Sequence, residues 1–273
     1  MSTRNLTDIF THTADPTWLL ANGLFVTEGR HCTRRLLATP RFKTVALLLT
    51  PTAEAALADA IEAVPPADRP PIVVKSQGEL DALTKFRLHQ GCVAFAERQP
   101  LPPWEPSLTL GGLSVLFERV HDPDNVGSIA RTAAALGVRA LLMSPECADP
   151  FYRKAVRTSM GAVLTTAILD ASPWPDVLSA LKASGHTLIA TTPDPAAMDI
   201  AELSSGLLSS EAPGFSPAQS VVLMVGSEGA GLTPDTRAAA DIQVRIPMSA
   251  AVDSLNVAAA TAIAVYALSR RIR

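Results

Sequence analysis

The chain has 273 residues, of which 48% are hydrophobic and 18% are charged, and this composition excludes an intrinsically disordered protein. Its 23 lysine and arginine residues stand against 26 aspartate and glutamate residues, which gives a formal net charge of −3 at pH 7. Because the chain has no overall basic excess, binding to nucleic acid would require a local concentration of positive charge.

The cysteines and the N-terminal stretch bear on the cellular compartment. Cys32, Cys92 and Cys147 are widely separated, and their number and spacing match neither a paired disulfide framework nor a zinc site. Residues 1–16 lack an apolar core of signal-peptide length, and no apolar run reaches membrane-spanning length. We therefore expect a cytoplasmic protein with no membrane segment and no metal ion.

Apolar runs alternate with helical patterns in the first hundred residues. The predicted strands are residues 45–50, 71–75 and 91–97, and the predicted helices lie around residues 29–38, 52–63 and 77–85. The stretch ERQPLPPWEPSLTLGG, residues 97–112, contains four prolines and ends in two glycines, so it predicts a linker. The pattern divides the chain into a first domain (1–98), a linker (99–112) and a second domain (113–273).

The same alternation continues after the linker. Predicted strands are residues 113–118, 140–144, 187–192, 220–226 and 242–247, and predicted helices are 126–136, 152–160, 174–184, 234–240 and 255–270. Short apolar strands separated by helices indicate an α/β fold whose parallel sheet is covered on both faces. The serine- and proline-rich residues 199–218 predict an exposed loop.

The first unusual strand end is FERVHDPDNVGSIARTAAALGV, residues 117–138. Asn125 is a candidate N-cap of the following helix, and Gly137 is placed to end it. Arg131 lies about 200° around the helix from Ile129 and therefore points away from the apolar stripe. A capped helix with one solvated arginine is the alternative interpretation of this stretch.

The second is VVLMVGSEGAGLTPD, residues 221–235, in which three glycines let the backbone approach a ligand closely. The order GxxGxG, with Leu-Thr-Pro before any helix, is a poor match to a dinucleotide-binding loop, which argues against a nucleotide-dependent oxidoreductase. A surface turn with a solvated Glu228 is the alternative.

The third is IPMSAAVDSLNVAAATAIAVYAL, residues 246–268, which places Asp253, Ser254 and Asn256 where a strand gives way to a helix. Helix capping explains one or two of these polar residues and leaves Asn256 without a role. The helix is rich in alanine, which suits close packing inside the protein or against a second subunit, and high helix propensity is the plain alternative.

These three stretches, in this order, resemble the motifs of the SpoU-type (TrmH-like) RNA methyltransferases of the SPOUT superfamily. The resemblance covers residues 113–271, and KAVRTSMGAV (154–163) is similar to the segment that follows the first motif. The stretch FVTEGRHCTRRLLATPRFKTVALLLTP, with LHQGCVAFAE, is similar to the small α/β substrate-binding domain that often precedes the catalytic one.

The resemblance implies a SPOUT catalytic domain with a C-terminal trefoil knot, preceded by a small α/β RNA-binding domain. It implies that S-adenosylmethionine binds in the knot, that a ribose 2'-hydroxyl of RNA is methylated, and that the chain forms a homodimer through its C-terminal domain. Ribosomal RNA is slightly favoured over transfer RNA. A non-catalytic RNA-binding protein that has kept the fold is the alternative.

The resemblance assigns catalytic roles to five residues: Asn125, Arg131, Glu228, Ser254 and Asn256. The predicted cofactor residues are Gly226, Gly231, Ile246, Met248, Ser254 and Leu255, together with Thr191 and Thr192 at a neighbouring strand end. The first domain also carries a basic cluster, for which an ordinary solvated helix face is the alternative interpretation. The resemblance favours a phosphate-binding patch, and hence RNA binding, formed by Arg30, His31, Arg34, Arg35, Arg41 and Lys43. Two positions depart from the family pattern, Ala250 where glycine is common and Ala258 where serine is frequent.

Arginine keeps its proton in proteins, so we do not expect Arg131 to act as a free base. We expect its guanidinium to grip a phosphate and to stabilise negative charge that develops on the ribose oxygen.

Overall fold

The computed structural model describes residues 6–85, 87–206, 220–249, 252 and 254–269. The chain divides into two compact units, the first formed by residues 1–100 and 149–165, and the second by residues 101–148 and 166–273. The domain boundaries expected from the sequence stay a prediction. Helices and strands are numbered below in chain order.

The first unit contains, within its described residues, a four-stranded sheet in the order β1-β4-β2-β3. Its strands are β1 (Leu24–Glu28), β2 (Thr44–Leu49), β3 (Ile72–Val74) and β4 (Cys92–Glu97). Strand β4 runs antiparallel to β1 and β2, and β3 is parallel to β2. Its helices are α1 (Leu6–Thr11), α2 (Pro16–Ala21), α3 (Arg30–Leu37), α4 (Pro51–Glu62), α5 (Gln77–Thr84) and, from the later segment, α8 (Arg153–Thr158).

The core of the first unit includes side chains from residues 149–165. The rings of Phe25, Phe42 and Phe151 contact one another with centroids 5.2–5.4 Å apart. Short 3-10 turns at His89–Gly91 and Ala162–Leu164 complete this unit. Residues 149–165 therefore pack with the first hundred residues, although they come after the linker in the sequence.

The second unit contains, among its described residues, a seven-stranded sheet in the order β7-β6-β5-β10-β8-β11-β9. Its strands are β5 (Gly112–Glu118), β6 (Ala140–Met143), β7 (Ala167–Asp170), β8 (His186–Thr191), β9 (Met198–Asp199), β10 (Ser220–Gly226) and β11 (Ile242–Arg245). All of its strand pairs are parallel, which confirms the predicted parallel sheet.

Helices flank this sheet. They are α6 (Pro106–Thr109), α7 (Pro123–Leu136), α9 (Val177–Ala183), α10 (Ile200–Gly206), α11 (Pro234–Ala239) and α12 (Val257–Ser269). Helices α9 and α11 contact β8, whereas α12 contacts β5 and β10 and packs on α7. Every residue of β5 and β10 is buried, as expected for central parallel strands covered on both faces.

The structure corrects several sequence expectations. The expected loop at residues 199–218 begins with β9 and α10, and its residues 207–219 lie outside the described part of the chain. The N-cap of α7 is Asp122, not Asn125, because Pro123 suits the first helical position and places the cap one residue before it. Asp253 and Ala250 lie outside the described residues. The trefoil knot stays a prediction. No helix in the described ranges is long and apolar enough to cross a membrane.

Candidate active site

The three sequence motifs meet at one edge of the parallel sheet in the second unit. Neighbouring strands β5, β10, β8 and β11 end at Glu118, Gly226, Thr191 and Arg245, and the three motifs follow β5, β10 and β11. Because parallel strands present their carboxyl ends on the same side, the turns that follow them are close together. Ligands of open α/β sheets bind at this edge.

The turn after β10 folds back on itself. Gly231 donates its backbone N–H to the carbonyl of Ser227 at 2.9 Å, and a Cβ atom at Gly226 would overlap the backbone of Gly231 and Leu232. Gly229 and Gly231 have φ angles of 89° and 66°, which side chains disfavour. The glycines are therefore required by the shape of this turn, and not only by the approach of a ligand.

A buried carboxylate fixes the far end of the same turn. Glu118 is 1% exposed, and its Oε2 accepts the backbone N–H of Thr233 at 2.8 Å. Its Oε1 accepts the hydroxyl groups of Thr233 at 2.8 Å and of Thr236 at 3.0 Å. These hydrogen bonds connect the end of β5 to the start of α11. Glu118 is not among the residues predicted from the sequence, because a glutamate at a strand end has no local pattern that reveals partners more than a hundred positions away.

A cavity of about 360 Å³ opens beside the glycine turn. Its lining includes all eight predicted cofactor residues: Thr191, Thr192, Gly226, Gly231, Ile246, Met248, Ser254 and Leu255. Glu228 and Asn256 line it as well, so the structure brings together residues from the second and third motifs. Their roles towards a cofactor remain predictions.

An arginine that was not predicted from the sequence also lines the cavity. Arg237, half-buried on α11, lines the cavity, and its guanidinium has no hydrogen bond or ion pair to the described residues. It lies beyond the glycine motif, in a stretch that by sequence alone is an ordinary helix.

Three motif side chains form a continuous hydrogen-bonded chain. The Asn256 Nδ2 donates to Asn125 Oδ1 at 2.9 Å, and the Asn125 Nδ2 donates to Glu228 Oε1. The side-chain oxygen Oδ1 of Asn256 accepts the backbone N–H groups of Ala258 at 2.9 Å and Ala259 at 3.3 Å. Because the N–H groups at the start of α12 occupy that oxygen, the Asn256 side chain can only donate to Asn125. Asn125 therefore accepts through its oxygen, which leaves its Nδ2 to donate to Glu228.

The other two predicted catalytic residues lie apart from this chain. Ser254 is exposed at the cavity lining, and no described residue gives its side chain a hydrogen bond. Arg131 is exposed on α7, does not line the cavity, and makes no ion pair with the described part of the chain. The predicted orientation of Arg131 away from buried Ile129 agrees with its exposure.

The predicted RNA-binding cations differ in whether acids of the protein pair with them. Arg34 donates to both carboxylate oxygens of Asp59, at 2.5 and 2.9 Å, and to the carbonyl of Ala56 at 2.7 Å. Lys43 lies 3.5 Å from Glu97. These two cations are therefore balanced by acids of the same unit.

Arg41 is held in another way. It donates to the carbonyl of Val163 at 3.4 Å, and its guanidinium carbon lies 4.5 Å from the centroid of the Phe42 ring. Burial lowers the pKa of Arg41. The side chains of Arg30, His31 and Arg35 have no hydrogen bond or ion pair to the residues that the structure describes.

The buried thiols of the first unit offer no nucleophile. Burial raises the pKa of Cys32 to about 11 and that of Cys92 to about 12. Both groups are protonated at neutral pH, and a thiol without its thiolate form is a poor nucleophile.

Comparison with protein families and curated sequences identifies related proteins. The SpoU rRNA Methylase family model matches residues 112–266. An uncharacterized tRNA/rRNA methyltransferase of Mycobacterium bovis is 37% identical over 247 residues, which cover 90% of this chain and 81% of that protein. A 23S rRNA (guanosine-2'-O-)-methyltransferase of Bordetella pertussis is 30% identical over 198 residues, covering 68% of this chain and 73% of that protein.

Solved structures share the fold over nearly the whole length. A putative RNA methyltransferase of the TrmH family from Porphyromonas gingivalis has a TM-score of 0.77 at 27% identity, with 99% of both chains covered. An AdoMet-bound rRNA methyltransferase from Sinorhizobium meliloti also has a TM-score of 0.77, at 25% identity, covering 100% of this chain and 97% of that chain.

Proposed function

Because this chain belongs to the SpoU rRNA methylase family, we propose that it transfers a methyl group from S-adenosylmethionine to a ribose 2'-hydroxyl of structured RNA. Ribosomal RNA is favoured over transfer RNA, since similar proteins from Bordetella pertussis and Streptomyces viridochromogenes are named as 23S rRNA 2'-O-methyltransferases. A name that covers both RNA classes belongs to the Mycobacterium bovis relative.

The observation that carries this proposal is the hydrogen-bonded chain Asn256–Asn125–Glu228. It joins one residue from each of the three motifs, and two of its members line the cavity. A turn with only a structural role does not require three polar side chains, from elements distant in sequence, that are hydrogen-bonded to one another. Their arrangement suits a site where a hydroxyl group has to be held and deprotonated.

The cavity has the chemical character that S-adenosylmethionine needs. Apolar side chains of Ile246, Met248 and Leu255 suit the adenine ring, and backbone of the glycine turn offers hydrogen-bonding groups. A volume of about 360 Å³ falls in the range of small-molecule sites. When bound there, S-adenosylmethionine supplies an electrophilic methyl group on its sulfonium sulfur.

The residues of the chain supply orientation and proton transfer. Glu228 is exposed, and Asn125 occupies its Oε1. Its Oε2 has no partner among the described residues and is the atom that we assign to accept the 2'-hydroxyl proton. Asn125 holds that carboxylate in place. Arg131 grips a neighbouring phosphate and stabilises the developing alkoxide.

Methylation with labelled S-adenosylmethionine tests the proposal. Purified protein is incubated separately with 23S rRNA, 16S rRNA and transfer RNA, and the product nucleoside is identified. We expect label on a ribose oxygen of ribosomal RNA, and a loss of roughly a hundredfold or more in rate for Glu228→Gln. Glu202→Gln, which changes an exposed glutamate on α10, serves as the matched control. Cofactor binding without transfer to any RNA would support the non-catalytic alternative.

We also propose a homodimer formed through the second unit. On α12, Ala259, Ile263 and Tyr266 are spaced i, i+4 and i+7 and are exposed, with Ile263 at 43% and Tyr266 at 54%. This apolar stripe lies on a helix that already packs on α7, and a second copy would cover it.

The free cysteines and an RNA substrate support a cytoplasmic location.

A further inference from the structure

Residues 149–165 lie against α3 within the first unit. The thiol of Cys32 donates to the carbonyl of Val156 on α8 at 3.7 Å. At Gly161, whose φ is 77°, a Cβ atom would lie 3.3 Å from the Cα of Cys32 and 3.2 Å from the Cδ of Arg35. Helix α3 and the segment that contains α8 therefore share one continuous surface.

This surface carries positive charge that the protein itself does not neutralise. Arg35 on α3 and Arg157 on α8 are exposed, and neither makes an ion pair with any residue that the structure describes. The aliphatic part of the Arg35 side chain lies against Gly161, so Arg35 borders the segment that contains α8.

Other arginines on α3 and α8 are paired with acids from neighbouring elements. Arg34 pairs with Asp59, and Arg153 lies 3.0 Å from Glu28, whose side chain is 3% exposed. Arg35 and Arg157 are therefore left with their full charge, and exposed His31 and half-buried Arg30 lie on the same helix as Arg35.

An exposed aromatic residue stands at the start of α8, the helix that carries Arg157. Tyr152 stands at the N-cap of α8 and is 38% exposed, although the other large aromatic residue of this segment, Phe151, is buried among phenylalanines. Exposed aromatic rings on basic surfaces are typical of proteins that stack unpaired RNA bases while they bind the phosphate backbone.

We propose that Arg30, His31, Arg35, Tyr152 and Arg157 form an RNA-binding surface, here called the α3–α8 surface. Arg35 and Arg157 bind phosphates of the substrate RNA, and Tyr152 stacks on an unpaired base. This inference rests on the proposed function, because it names where the RNA substrate is held. It differs from the cluster expected from the sequence, since Arg34 and Lys43 are neutralised by acids and α8 contributes new residues.

Salt-dependent RNA binding by the full chain tests the α3–α8 surface. The affinity for a 23S rRNA transcript is measured at a series of KCl concentrations for wild type, Arg35→Gln, Arg157→Gln and the double variant. Log affinity falls with log salt, and each phosphate contact makes this slope steeper by about 0.7–0.9. We expect each single substitution to reduce the slope by about 1, and the double variant by about 2.

The matched control changes the neighbouring, neutralised arginine. Arg34→Gln combined with Asp59→Asn removes one positive and one negative charge, and we expect the slope to stay as in wild type. Tyr152→Ala should weaken binding roughly 5- to 160-fold with an unchanged slope. Thermal unfolding of each variant checks that the fold is retained, as expected for exposed positions.

Two results separate failure of this surface from failure of the proposed function. Wild-type slopes for both Arg35→Gln and Arg157→Gln, or a reduced slope for the Arg34/Asp59 control alone, would overturn the α3–α8 surface. Binding of the transcript with the expected slopes, but no methylation of any RNA by wild type, would support the surface and overturn the proposed enzyme activity.

Discussion

The side-chain amide of Asn256 donates to the side-chain oxygen of Asn125 at 2.9 Å, although 131 positions separate the two residues. The same asparagine accepts the first free N–H groups of α12. One residue therefore caps a helix and joins the third motif to the first. This double role explains why an asparagine follows an apolar strand at the point where a helix begins.

Asn256→Asp separates the two roles. Aspartate accepts the N–H groups of α12 as well as asparagine does, so we expect stability close to wild type. It cannot donate to Asn125, so the orientation of Glu228 is lost. We expect the rate of methyl transfer to fall on the order of a hundred- to a thousandfold. Single-turnover methylation and thermal unfolding measure the two effects.

Asn256→Ala is the companion variant, because it removes both roles. It should lose the rate and, in addition, about 0.5–2 kcal/mol of folding free energy. A wild-type methylation rate for Asn256→Asp would show that the bond to Asn125 has no part in catalysis.

Substitution of Arg131 tests charge stabilisation outside the cavity. Arg131 is exposed and does not line the cofactor cavity, so Arg131→Ala should leave both stability and cofactor affinity unchanged. The single-turnover rate should drop on the order of a hundred- to a thousandfold. Arg131→Lys should recover little of that rate, because lysine cannot make bidentate hydrogen bonds to a phosphate. Calorimetry with S-adenosylmethionine accompanies the kinetics. Arg139→Gln, another exposed arginine of this unit, is the control. If Arg131→Ala retains its rate, the phosphate-gripping role is wrong.

The sequence reveals the site where local chemistry carries the signal. Glycines in the turn after β10 and the polar residues before α12 identify the ligand-binding edge, because turns and caps depend on residue types that are neighbours in the chain. The apolar runs likewise predict the parallel sheet. Three strands escape prediction: β1, β7 and β9. Strands β7 and β9 have only four and two residues, which carry too little periodicity.

What the sequence does not reveal are pairings between distant residues. The neutralisation of Arg34 depends on Asp59, which lies 25 positions away on another helix. The Glu118 carboxylate meets Thr233 only after the strands have been ordered in the sheet. Similarly, residues 149–165 join the first unit through contacts of Phe151, which a sequence scan sees only as one apolar residue.

Glu118→Gln tests whether this buried carboxylate positions the glycine turn. The amide keeps the shape of the side chain but offers one acceptor fewer to the N–H and hydroxyl groups that Glu118 accepts. We expect a loss of about 1–3 kcal/mol in the free energy of unfolding in urea, since one buried donor is left without an acceptor. Because Thr233 directly follows the cavity residues Gly231 and Leu232, the Kd for S-adenosylmethionine should rise as well. Glu202→Gln is the control. An unchanged cofactor Kd beside lowered stability would restrict Glu118 to a structural role.

Ile263→Glu tests the proposed dimer. A charge in the middle of the exposed apolar stripe of α12 should cost little in a monomer, because Ile263 is 43% exposed, and should disrupt an interface that buries it. Light scattering at micromolar concentration should report about twice 28.7 kDa for wild type and 28.7 kDa for the variant. Leu20→Glu, at a leucine of α2 that is 59% exposed, is the matched control and should leave the wild-type mass. Circular dichroism confirms that both variants fold. A dimer of Ile263→Glu as tight as that of wild type would exclude the α12 stripe as the interface, and a wild-type chain that is monomeric and active would contradict the dimer itself.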